Sequence, residues 1–302
     1  MGPFFVIDER LVDFQNPTVL VKDEYMKNFN RKPLYPYLLS EVCAIDMLYA
    51  IHEMEGGELR DKLVLKGGMS VRNYVPLLDH RFSFDLDFNP NTYEGYTFGK
   101  IDEFVDGLRK FGRLRRCNLR LKVTRDTALL RFIEVGYHEM IRGFGAQIVE
   151  RPKIEFCKPC RVLDKPSVSD INTMIDLKLL GLKPIRLKHL NVEEQLASKL
   201  FVIGARGRQR NHFDAYDAYK IQLHNANTIN WKKAKQLFET QVLRRKAEPA
   251  RYVEECRHQL HAMLSNRKKM RSISDTLFAP GGFDFGQMVQ TVSQFYAFKP
   301  SD

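Results

Sequence analysis

Asp85-Leu86-Asp87 stands near the end of one apolar run, RFSFDLDF, and Gly67-Gly68 closes another, LVLKGG. On a strand, residues two apart point to the same face, so Asp85 and Asp87 stand side by side and repel each other. A cation between them relieves that repulsion. A strand that breaks at two glycines and opens a helix offers bare backbone N–H groups to an anion, and glycine lets a ligand approach the backbone closely. Alone, a Gly-Gly pair is most often only a turn, and a lone Asp-x-Asp is most often a solvated strand end. Together they put carboxylates beside a phosphate cradle, which suits Mg²⁺, an ion that takes one or two carboxylates plus substrate phosphates. Two such ions can hold the attacking and leaving oxygens of an in-line displacement. Leu86, with its neighbours Phe84 and Phe88, reads as the buried face of the same strand, so the carboxylates are anchored on a core element.

The elements that must position these residues follow from hydrophobic periodicity. Residues 36–54 repeat apolar positions at helical spacing. A strand follows over Lys62–Lys66, then a short helix from Met69 to Leu78, stopped near Pro76, and a second strand over Phe82–Phe88. Asp102–Leu114 reads as an amphipathic helix. Asn118–Thr124, Leu129–Tyr137 and Gln147–Phe156 read as strands. From about Lys165 the pattern turns helical, over Val192–Ile203, His212–His224, Trp231–Arg245, Arg251–Lys269 and Phe285–Phe298. The fold class predicted is α+β with a mixed sheet: a helical lead over 1–60, an α/β module over 61–164 and a helical C-terminal domain over 165–302.

The chain has 302 residues and a net charge of +11, from 48 Lys and Arg against 37 Asp and Glu. That excess fits a polyanionic partner, and it fits solubility alone equally well. Arg113, Arg115, Arg116, Arg120, Lys122 and Arg125 form one basic cluster; Arg206, Arg208 and Arg210 form a second; Arg267, Lys268, Lys269 and Arg271 form a third. Such runs are most often solvated faces, and three of them also make a track for an RNA backbone. The five cysteines are too scattered for a disulfide framework. Cys157-Lys158-Pro159-Cys160 is a lone CxxC without the second ligand pair that a zinc site needs. With no signal pattern at the start and no long uncharged run, the expectation is a soluble, cytoplasmic protein with no membrane partner.

The blocks LKGGMSVRN and RFSFDLDF resemble the glycine and DxD blocks of the DNA polymerase β-type nucleotidyltransferase superfamily. More narrowly, they resemble those of the AbiEii/AbiGii toxin family, which includes the MenT toxins. Arg81, Phe82, Ser83, Asp85, Leu86, Asp87 and Phe88 match that family's second block. Lys153-Ile154-Glu155 resembles its third acidic strand, and EEQLASKL (Glu193–Leu200) followed by RNHFDAY (Arg210–Tyr216) resembles its helix pair. The four blocks span about residues 60–220 in the family's order. Met69 stands where the family has threonine, Glu155 where aspartate is usual, and Asn211 where an aspartate is usual.

The resemblance implies a nucleotidyltransferase-type module and a metal-dependent toxin of a toxin–antitoxin system. Such an enzyme moves NMP from an NTP to a hydroxyl, with RNA, at the tRNA 3′ end, as the implied acceptor and pyrophosphate released. It implies Asp85, Asp87 and Glu155 as ligands of Mg²⁺, or Mn²⁺, with Glu155 also helping to deprotonate the acceptor. Gly67, Gly68, Ser70 and Ser83 would bind the nucleotide. Arg72 and Lys199 would neutralise the triphosphate, and Asp214 would orient Lys199. Without the resemblance, Lys199 reads as a snorkelling edge residue. The implied partner is a cognate antitoxin from a neighbouring gene. Two other readings stay open: transfer to a protein hydroxyl, and a degenerate fold that only binds RNA or protein.

Overall fold

The computed structural model describes residues 11–26, 35–53, 58–83, 85–96, 122–126, 130–134, 145–146, 153–157, 161–205, 211–277 and 284–297. The predicted helix at Asp102–Leu114 lies outside them. So do Arg113, Arg115, Arg116, Arg120, Arg206, Arg208, Arg210 and Cys160. The chain divides into two compact units, one of Met1–Asn73 with Phe82–Leu190, the other of Tyr74–Arg81 with Asn191–Asp302.

The first unit is built on a seven-stranded mixed sheet, which bears out the predicted α+β class. Its strands are β1 (Leu63–Lys66), β2 (Asp85–Pro90), β3 (Lys122–Asp126), β4 (Leu130–Glu134), β5 (Lys153–Cys157), β6 (Ser167–Asp170) and β7 (Arg186–His189). Their spatial order is β3-β4-β5-β2-β1-β7-β6. β1 pairs antiparallel with β2 and parallel with β7, and β2 pairs parallel with β5. The sheet therefore continues past residue 164, and the helical part begins at Asn191. Sequence periodicity misses β6 and β7 because they are rich in polar residues: β7 reads Arg-Leu-Lys-His, and β6 alternates half-buried with exposed residues as a polar edge strand does.

Helix α1 (Tyr35–Glu53) is buried on nearly all sides, with Leu38, Val42, Ala44, Ile45, Met47 and Leu48 at 1 % exposure or less. A helix apolar all round belongs inside a domain. It also buries Glu41, which is 0 % exposed. Glu41 Oε2 accepts from Arg72 Nη2 at 2.8 Å, and Glu41 Oε1 pairs with Nη1, an end-on bidentate ion pair. Arg72 is itself only 2 % exposed and directly follows the short helix α2 (Gly67–Val71). The pair thus ties α2 to α1. The predicted helix from Met69 to Leu78 stops at Val71; a turn and a 3₁₀ segment, Leu77–Asp79, take its place.

The second unit is helical: α3 (Val192–Ala205), α4 (Asn211–Asn225), α5 (Trp231–Arg244), α6 (Pro249–Leu264), α7 (Arg267–Thr276) and α8 (Phe285–Phe295). The run Arg251–Lys269, read as one helix from its periodicity, is two. Asn266 caps α7 by accepting from the Lys269 backbone N–H, a bond it can make only from outside the helix. The segment Tyr74–Arg81 is fastened to α4: Tyr216 Oη donates to the Asp79 carbonyl at 2.9 Å, Lys220 Nζ meets Asp79 Oδ1 at 2.6 Å, and Asn225 Nδ2 donates to the Tyr74 carbonyl at 2.7 Å.

Removing one partner of a buried pair leaves an uncompensated charge that costs about 3–5 kcal/mol, whereas replacing both by apolar groups is often neutral. Arg72→Met and Glu41→Leu should each lower the melting temperature strongly, and the double variant should regain most of the loss. Thermal denaturation of all four proteins checks this; an unchanged melting temperature for Arg72→Met would contradict the assignment of Arg72 to the fold.

Candidate functional site

Register builds the first half of the site. Asp87 lies opposite Glu155 across β2 and β5, and opposite Lys66 across β1 and β2. Asp85 lies opposite Lys153. Directly opposed residues share a face, so Asp85, Asp87, Glu155, Lys66 and Lys153 stand together on one face of three adjacent strands. Burial agrees: Asp85, Asp87 and Glu155 are half-buried, while Leu86, Phe88, Ile154 and Phe156 on the other face are at 1 % exposure or less. Phe88 and Phe156 stack on that inner face with centroids 6.1 Å apart. The cation that the paired carboxylates call for is partly supplied by the chain itself, since Lys66 Nζ reaches to 4.0 Å from Glu155 Oε1. Lys66 was missed as a site residue; its signal was its place as the last residue of β1, next to the glycines.

The glycine turn is fitted to this face. Gly67 has φ +74°, a conformation that L side chains rarely adopt. A Cβ there would lie 2.9 Å from Asp87 Cγ and closer still to Asp87 Oδ2. The Asp87 carboxylate therefore rests against bare backbone. In the same turn, Ser70 is 0 % exposed and its Oγ makes no hydrogen bond to the described residues. Ser83, at 8 % exposure, leads into β2. Arg72 belongs elsewhere: both terminal nitrogens are engaged by Glu41 beneath α2.

Carboxylates on an open face are the donor type that a hard divalent ion takes. Among the described residues no group of three His, Cys, Asp or Glu side chains is placed to hold a metal ion by itself. Mg²⁺ keeps water and substrate phosphate in most of its coordination positions, so an open set of carboxylates beside an orphaned hydroxyl and a bare glycine turn is the form that suits it.

Lys199 and Asp214 lie in the second unit. The expected contact between them is present, Lys199 Nζ to Asp214 Oδ1 at 3.0 Å. Lys199 also meets Asp217 Oδ2 at 2.7 Å, and Arg81 grips Asp217 through Nε to Oδ1 at 2.8 Å and Nη2 to Oδ2 at 2.7 Å. Lys199, Asp214 and Asp217 are each at 5 % exposure or less. Two cations and two anions thus close a balanced knot, and the Arg81 guanidinium also lies 5.2 Å from the Phe213 ring centroid. Asp217 and Arg81 were missed as functional candidates. Asp217 had a signal, because three residues after Asp214 on a helix it falls on the same face.

Burial pushes the Asp217 carboxyl up, but the charges of Arg81 and Lys199 outweigh this and hold it below the ordinary carboxylate range. A depressed acid stabilises the fold above its unfolded value, near 3.9, and loses that contribution as pH falls further through the folded value. Denaturant unfolding at steps between neutral pH and about pH 3 should show stability falling on acidification below about pH 4. Asp217→Asn should be less stable at neutral pH and should show a shallower fall; an equal slope in both proteins would contradict the knot.

The sequence matches the family model described as nucleotidyl transferase AbiEii toxin, type IV toxin–antitoxin system, over residues 53–279. No curated protein matches it significantly. Among solved structures, the fold is similar to MenT4, a nucleotidyltransferase toxin from Mycobacterium tuberculosis H37Rv, with a TM-score of 0.59 and 19% identity, covering 88% of this chain and 85% of that one. No described helix is long and apolar enough to cross a membrane. With a family model spanning both units and a shared nucleotidyltransferase fold, the chain belongs to the AbiEii family of nucleotidyltransferase toxins of type IV toxin–antitoxin systems.

Proposed function

We propose that this nucleotidyltransferase transfers NMP from an NTP to an RNA hydroxyl at the tRNA 3′ end, with Mg²⁺ (or Mn²⁺) bound at Asp85, Asp87 and Glu155. The observation that carries the reading is the register: three carboxylates share one face of β2 and β5 beside Lys66 of β1, and Asp87 packs against a left-handed glycine. When bound, the ion supplies positive charge to the triphosphate and lowers the cost of charge developing on the leaving pyrophosphate. The backbone of Gly67 and Gly68 and the hydroxyl of Ser70 hold phosphate oxygens, and Ser83 lines the nucleotide position.

The acceptor oxygen attacks the α-phosphorus. A new O–P bond forms, the bond to pyrophosphate breaks, and Glu155 takes the acceptor proton. Lys66, already 4.0 Å from Glu155, keeps the acidic face from repelling the incoming triphosphate. The resemblance extends the machinery to Lys199 and Asp214; what supports it is that Lys199 is held in place by ion pairs to Asp214 and Asp217. Arg72 is assigned to anchoring α2 rather than to the triphosphate. An RNA acceptor is supported by the net charge of +11 and by the exposed Arg267, Lys268 and Arg271 on α7. Membership of a type IV system implies an antitoxin partner, and the acidic-face chemistry implies NTP as substrate.

The test is incubation of the protein with each labelled NTP and Mg²⁺, separately with total RNA, purified tRNA and cell protein. Label should enter tRNA and be lost on trimming of its 3′ end. Asp85→Asn or Asp87→Asn should slow transfer by about a hundred- to a thousandfold in folded protein, as loss of a charge-stabilising group does in other active sites. Label in protein alone would transfer the reading to a protein hydroxyl, and undiminished transfer by both variants would overturn the site.

A further inference from the structure

One hydrogen-bond chain in the first unit has its direction forced at every link. His189 Nδ1 lies 3.1 Å from the Leu190 carbonyl, which can only accept, so Nδ1 carries the proton. Neutral His189 then presents Nε2 as an acceptor, and Ser169 Oγ, 2.7 Å away, donates to it. Ser169 in turn accepts from Asn73 Nδ2 at 3.0 Å. The orientation of the Asn73 amide is fixed because its Oδ1 accepts the Asn172 backbone N–H at 3.0 Å. His189 is 2 % exposed, and burial lowers its pKa, which keeps the ring neutral. Aligned donors of this kind polarise one another.

The chain ends at the cradle. The Asn73 backbone N–H donates to the Ser70 carbonyl at 3.2 Å, inside the turn that carries Gly67 and Gly68. At its other end, His189 pairs with Leu65 of β1, and the Leu190 N–H donates to the Leu65 carbonyl at 3.0 Å. β6 and β7 therefore grip both the strand that enters the glycine turn and the helix that leaves it. We propose that Asn73, Ser169 and His189 are positioning residues that set the glycine turn for the triphosphate; this rests on the nucleotide-binding reading of that turn.

Asn73, Ser169 and Asn172 also line a cavity of about 520 Å³, together with Lys22 and Lys178. Water has room to replace a trimmed side chain there, so variants along the chain should fold. The proposal is tested with the full-length protein by titration calorimetry with each Mg–NTP and by melting temperature. Asn73→Asp keeps the bond to Asn172 and turns the donor to Ser169 into an acceptor. Asn73→Asp and Ser169→Ala should each weaken binding of the preferred NTP by about tenfold, as loss of a hydrogen bond does, with the melting temperature nearly unchanged. His189→Gln can still accept from Ser169 and donate to Leu190, and should bind NTP better than His189→Leu does. If Asn73→Asp and Ser169→Ala bind NTP as the unaltered protein does, or lose binding only in step with lost folded protein, the chain is a structural tie and the proposal falls. If the unaltered protein binds no NTP, the nucleotide reading of the turn falls, and the positioning proposal with it.

Discussion

The first unit is organised around the approach of the Asp87 carboxylate to the backbone at Gly67. Like charges on one strand face are costly unless something offsets them, and here the offset depends on closeness. β1 lies antiparallel beside β2 so that Lys66 is opposite Asp87, and the next residue must turn the chain into a helix without a side chain in the way. Only a glycine at positive φ does both. The rest of the unit holds that turn: α1 through Glu41 and Arg72, β5 by bringing Glu155 alongside, and β7 with β6 from the other edge.

The buried charges divide by what they can do. Glu41 with Arg72, and Lys199 with Asp214, Asp217 and Arg81, are closed sets in which each charge has its opposite. Closed, desolvated sets fix geometry more than they add stability. Asp85, Asp87 and Glu155 form an acidic face with Lys66 at its side, 4.0 Å from Glu155. A half-buried acidic face beside a bare glycine turn suits an incoming cation and anion together, which is how a metal–triphosphate substrate presents itself.

Much of this was legible in the sequence because the chemistry is local. Gly67-Gly68 and Asp85-x-Asp87 announce themselves by spacing, and Lys199 with Asp214 only through the family resemblance. The mixed sheet was readable from its core strands, where Leu86 and Phe88 alternate with the aspartates. What was hidden depended on residues distant in sequence. Nothing in RNYVP shows that Arg72 is taken by Glu41, 31 positions earlier, and its basic character pointed instead to phosphate. Arg81 looked like part of a motif, while its partner is Asp217. The edge strand β6 and its neighbour β7 escaped because they are rich in polar residues, so the apparent start of the helical half came too early.

The central claim is that Asp87 works because Gly67 leaves room for it. Gly67→Ala tests it most directly, by NMP transfer rate and melting temperature measured on the same preparation. The account predicts a protein that still folds, with the turn displaced and transfer reduced at least about a hundredfold, since small misplacements of reacting groups cost that much. A folded Gly67→Ala protein that transfers NMP at the unaltered rate would contradict it.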